Sequence, residues 1–315
     1  MITQSARRGA RRIFAYLLAG AAALPPALHA QSPHETATAR YMESVRGNPL
    51  ALGIFLREMP KGGDLHSHLS GAVYAESYLR WAAEDDLCVN LAQSAILTRS
   101  CPVTADSLRP AAQIADTSSL YSALVDAFSM RNWTPARGSG HRQFFATFGR
   151  FNATDRRTGD GLAEVQQRAI RGGVRYLELM FTPDRSRARE LGTAAGWTDD
   201  FGQMRDRLLA AGLRDVVRGA RARLDSVEAR RDTVLRCRTT RADAGCEATV
   251  RWLYQVSRGN PPEQVFAQIF TGFLLAEADP RVVGLNLVQP EDRARSMSDY
   301  SLQMRMIQFL RREHP

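Results

Sequence analysis

The chain has 315 residues, 44% hydrophobic and 24% charged, a globular composition that excludes collagen-like, coiled-coil and disordered chains. Its net charge of +9 includes Arg7, Arg8, Arg11 and Arg12 near the start. The rest is mild and dispersed, which gives no argument for nucleic acid.

Residues 1–30 read as a secretory signal peptide. The four arginines precede an apolar stretch at 13–24, Pro25 and Pro26 break it, and Ala30 offers a small residue for cleavage. Twelve apolar residues are too few to span about 30 Å of hydrocarbon, and no later stretch is a membrane span. The expectation is an exported protein, periplasmic or secreted. Export in turn makes disulfides of the four cysteines. Three pairings are possible, and the two local ones, Cys88 with Cys101 and Cys237 with Cys246, are expected.

Residues 31–58 predict a helical arm. A strand is expected at 62–69, then an excursion over 80–140 with a helix at 118–130. Helices at 141–152 and 161–171 follow, and Gly172-Gly173 ends the second. The run VRYLELMF at 174–181 predicts a strand. Beyond Pro183, apolar residues Leu213, Val216, Val217, Ala220, Leu224 and Val227 recur at helical spacing among alternating charges, the pattern of a helix with a solvated face. Strands at 248–257 and 282–288, and helices at 262–278 and 297–312, complete the order. Strands alternating with helices predict a parallel sheet of βαβ units, buried on both faces. A (β/α)8 barrel and an open doubly wound sheet both fit, and no G-x-G-x-x-G supports a dinucleotide fold.

The chemistry concentrates at residues 59–72, MPKGGDLHSHLSGA. His66 and His68 lie two apart at a strand end, so both imidazoles point to one face and can converge on a metal. Strand carboxyl ends are where barrels place active sites.

This segment resembles the first motif of the adenosine deaminase family of metal-dependent hydrolases, closest to its exported, growth-factor-related branch. Phe144-Phe145-Ala-Thr-Phe148 resembles the family's Phe-rich helix over the purine pocket. Residues 173–183 resemble its second barrel strand, and 282–291, with Asn286, Gln289 and Glu291, its fourth. The resemblance implies a TIM-type barrel holding Zn2+ with His66 and His68 as ligands. Ser70, Phe144, Phe148 and Gln289 would bind a purine nucleoside, whose 6-amino group the family replaces by hydrolysis. Ser70 stands where soluble members carry an aspartate near the ribose, and Asn286 replaces an acidic residue.

The family's proton-donating glutamate lies in a His-Ala-Gly-Glu motif on the fifth strand, and these 315 residues contain none. The expectation is therefore the N-terminal half of a barrel at 59–315, truncated after strand four and inactive by itself. His141 is expected at a helix start or pocket rim, His314 to fray, and Asp199-Asp200 to cap a helix. Two other readings stand: a catalytically dead fragment serving as a binding or partner module, and an amidohydrolase acting on another amine. The sequence carries no signal for an oligomeric state.

Overall fold

A computed structural model describes residues 32–102, 107–115 and 117–314, apart from the side chain of Asp155. The expected signal peptide with Ala30 lies outside the described residues. The chain divides into two units after Leu56.

In the first unit, α1 (Pro33–Val45) opens with a capping box. The Ser32 hydroxyl accepts from Glu35 N at 3.2 Å, and Glu35 Oε2 accepts from Ser32 N at 2.6 Å. The Asn48 side chain caps α2 (Pro49–Glu58), accepting from Leu50 N and Ala51 N. Tyr41 packs against Phe55 with ring centroids 5.7 Å apart.

The second unit begins with β1 (Gly62–His68) and runs directly into α3 (Leu69–Ala72) and α4 (Ala75–Glu84). A small antiparallel sheet follows, of β2 (Cys88–Asn90), β3 (Ala95–Leu97) and β4 (Leu108–Pro110), with β2 central. The Cys88–Cys101 disulfide fastens its first strand to the loop beyond β3. Then come α5 (Ser118–Ala127), α6 (Gly140–Phe151) and α7 (Thr158–Arg171). Gly173 takes φ +80° to turn the chain into β5 (Val174–Phe181), a conformation that L side chains rarely adopt.

After β5 lie α8 (Arg187–Ala195), α9 (Phe201–Ala210) and α10 (Leu213–Leu235). Asp200 caps α9, its carboxylate accepting from Gln203 N at 3.0 Å, as the sequence led us to expect. The Cys237–Cys246 disulfide closes the turn into β6 (Thr249–Ser257). The chain ends with α11 (Pro262–Ala278), β7 (Val282–Val288), α12 (Ala294–Ser298) and α13 (Tyr300–Glu313).

The main sheet has the order β1-β5-β6-β7, every pair parallel, and curls into half a barrel. The strands follow one another in sequence without reversal, so the doubly wound alternative is set aside. The core lies between the sheet and α7, α10 and α11. Val250, Trp252, Tyr254 and Val256 point from β6 into it, as do Leu177 and Leu179 from β5. Helix α11 is apolar almost all round because sheet and helices enclose it. Fully burying a side chain such as Phe266, Phe270 or Leu275 stabilises the fold by about 1.5–3 kcal/mol.

Two expectations need correction. The strands are not all buried on both faces: β1 is exposed along most of its length, with Leu65 at 59% exposure, because it is an edge strand. His314 does not fray. Its ring lies 5.6 Å from that of Phe270, and its Nδ1 sits 2.5 Å from Glu277 Oε1. No helix among the described residues is long and apolar enough to cross a membrane.

Candidate active site

Alternation along the central strands sends one set of residues to the helices and the other to the concave face of the sheet. With Leu177 and Leu179 turned to the core, Glu178 and Met180 face the concavity. With Trp252 and Tyr254 in the core, Arg251 and Gln255 do so from β6. His66 and His68 end β1 on this side, their rings edge to face with centroids 6.0 Å apart.

The register slips between Asp64 and Ser67, where three steps along β1 match two along β5. Such a bulge re-aims side chains at a strand end. The Asp64 carboxylate accepts from the His66 amide at 3.1 Å, satisfying a donor that the slip takes from the ladder.

His68 Nδ1 lies 2.9 Å from Gln255 Oε1, while Gln255 Nε2 donates to Thr182 Oγ1 at 3.4 Å. This arrangement makes Nδ1 the protonated nitrogen and leaves the lone pair on Nε2. Burial lowers the His68 pKa below 6.5, the Gln255 bond works against this, and the charge on His66 adds to it. The neutral imidazole, the form that ligates metal, is thereby favoured.

The aromatic helix packs beside this pair. A Cβ placed on Gly71 would lie 3.4 Å from Phe148 and 3.8 Å from the His68 Cβ, so glycine lets Phe148 approach. Phe144 stands edge-on to Phe148 at 5.3 Å and is exposed. Ser70 lines a cavity of about 90 Å³ with Leu69, Tyr78, Phe151, Met180 and Gln255. Its carbonyl accepts from Tyr78 Oη at 2.6 Å. This cavity is well below the ~300 Å³ of ordinary ligand pockets, which leaves the open concave face as the larger space beside the two histidines. Gln289 follows β7 directly, with its side-chain oxygen taken by Gly259 N at 2.8 Å. His141 starts α6 at the rim, 3.2 Å from Asp292.

Imidazole nitrogens suit zinc, so the donor chemistry at His66 and His68 fits. The donor count does not fit a catalytic zinc, which uses three protein ligands. Among the described residues no group of three His, Cys, Asp or Glu side chains is placed to hold a metal. No reaction step is therefore derived through the metal.

Sequence reasoning missed Gln255. Its signal was alternation along the strand, with Thr249, Arg251, Gln255 and Ser257 sharing one parity against the buried Val250, Trp252, Tyr254 and Val256. Neither protein-family models nor curated proteins match the chain. The fold and site thus define a class, a parallel half-barrel with a polar concave face, and the two disulfides fit an extracellular protein.

Proposed function

We propose that the chain is an exported, adenosine deaminase-like protein, and that His66 and His68 form the first half of its zinc site. One observation carries the reading: two imidazoles share the concave face at a strand's carboxyl end, and Gln255 orients one of them with Nε2 free. Bound zinc would lower the pKa of a coordinated water towards neutrality. His66 and His68 would hold the ion, Gln255 would fix the ring of His68, and Phe148 and Phe144 would offer aromatic faces to a purine. Ser70 lies close by on the same side. Gln289 would contribute through its side-chain nitrogen, since its side-chain oxygen is taken by Gly259 N.

The 315 residues alone would bind zinc and not turn over adenosine. General acid–base groups contribute about 10²–10⁴-fold each, and no His-Ala-Gly-Glu glutamate is present. Calorimetric titration of the purified chain with zinc should show one site that H66A and H68A each abolish. An adenosine-to-inosine absorbance assay with zinc should stay at background. Zinc binding that survives in the double variant removes the assignment of the ligands. Turnover lost on His66→Ala would show instead that the site is complete.

A further inference from the structure

We propose that the loops at the carboxyl ends of β6 and β7 form an oxyanion site, for a phosphate or carboxylate group, with Arg258 as its principal ligand. Arg258 follows the last residue of β6 and is only 7% exposed. Its backbone is clamped on both sides. The amide donates to Val288 O at 3.2 Å, and the carbonyl accepts from Gln303 Nε2 at 2.8 Å.

The side chain is not so provided. Among the described residues no carboxylate lies within ion-pair distance of its guanidinium, and its buried Nε has no hydrogen-bond partner. The Tyr300 ring lies over it, its centroid 5.9 Å from Cζ. Asn260 Nδ2, two residues on, is a second buried donor without a partner, and Gln303 Oε1 a buried acceptor without one. Of the acids on the segments after β6 and β7, Asp292 is engaged by His141 at 3.2 Å and Asp299 by Ser298 at 2.7 Å and Arg295 at 3.3 Å.

A buried cation needs a counter-charge, and buried donors need acceptors. An oxyanion supplies both. One oxygen would accept from Arg258 Nε and another from Asn260 Nδ2. A protonated phosphate oxygen, or a bridging water, would serve Gln303 Oε1. The position agrees with the way α/β folds bind ligands, outside the carboxyl ends of the strands. Helix α11 starts four residues after Arg258, but Glu263 in its first turn already complements the dipole there, so the anion would rest on the side-chain donors. Tyr300 is 54% exposed, so a surface ring, and not the core, covers the guanidinium.

The test uses the full chain and inorganic phosphate, followed by calorimetry and by phosphorus NMR line width, with acetate as a second arm at matched ionic strength. Wild type should bind phosphate with millimolar or better affinity. R258M should bind at least about tenfold more weakly, because charge-assisted bonds dominate such sites, and N260A should fall between them. H66A should bind as wild type does, which separates this site from the zinc reading. Binding of acetate with equal affinity would identify the ligand as a carboxylate. If R258M does not fold by circular dichroism, N260A decides. No binding of either anion to wild type, or equal binding by wild type and N260A alongside unchanged or unmeasurable R258M, overturns the proposal.

Discussion

His68 on β1 meets Gln255 on β6 at 2.9 Å, although β5 lies between their strands and 187 positions separate them in the chain. The contact holds one imidazole nitrogen and leaves the other for a ligand. Gln255→Leu keeps the volume and removes the acceptor. Partners of this kind are worth about 10–100-fold in metal affinity, so zinc binding by this variant should weaken within that range while its circular dichroism is unchanged. Undiminished affinity would show that the bond does not orient the ring.

Asp85 should set part of the acid stability. Arg157 grips it with two bonds, at 2.5 and 3.0 Å, and Arg156 adds a third at 2.7 Å. The Arg157 bond leads in holding its pKa below the ordinary 3.8, against the opposing effect of burial. Its stabilisation is thus complete above pH 3.8 and is lost as pH falls through the folded value. Asp85→Asn should cost about 2–3 kcal/mol at neutral pH. Urea melts at neutral pH and in acid should show the gap between variant and wild type narrowing as the solution is acidified.

Gly192 marks the closest approach of α8 to α11. A Cβ there would stand 2.5 Å from the Glu263 carbonyl oxygen and 3.0 Å from the Ala267 Cβ. Backbone cannot yield as a flexible side chain does, so Gly192→Ala should destabilise by about 1–3 kcal/mol through overpacking. Gly219, with open space around it, is the control. Thermal melts in which the two variants behave alike would defeat the argument.

The Cys237–Cys246 bridge closes a short loop between α10 and β6. In the chain-entropy account a loop of this size contributes about 2–3 kcal/mol. The double serine variant should lose that much by denaturant titration, with an equal or steeper slope because its unfolded chain is less constrained. Peptide mapping of the oxidised protein should recover the two local pairs.

How far the sequence could be read depended on the span of each signal. The bounds of β5, α11 and β7 are those expected, because mostly apolar segments there are bracketed by Gly172-Gly173, Pro183, Pro261-Pro262, Pro280 and Pro290. The sheet of β2, β3 and β4 escaped notice, since three-residue strands have no visible period. The one helix expected at 297–312 is instead the end of α12 and nearly all of α13, the break at Asp299 carrying no proline or glycine. His66 and His68 were legible because they are neighbours in the chain. Gln255 was not, because only the register of β5 against β6 brings it to them.

The edge position of β1 has a kinetic consequence. Strands β5 and β6 each have two neighbours, β1 only one. Amides at an edge exchange with solvent through local fraying, and central ones through larger openings. Hydrogen exchange should therefore run as a gradient, fast in β1 and slow in β5 and β6. The strand that carries both imidazoles is then among the first to open, so any metal it holds must spend part of its binding free energy on closing it. Added zinc should slow exchange in β1 while leaving the rates in β6 nearly unchanged.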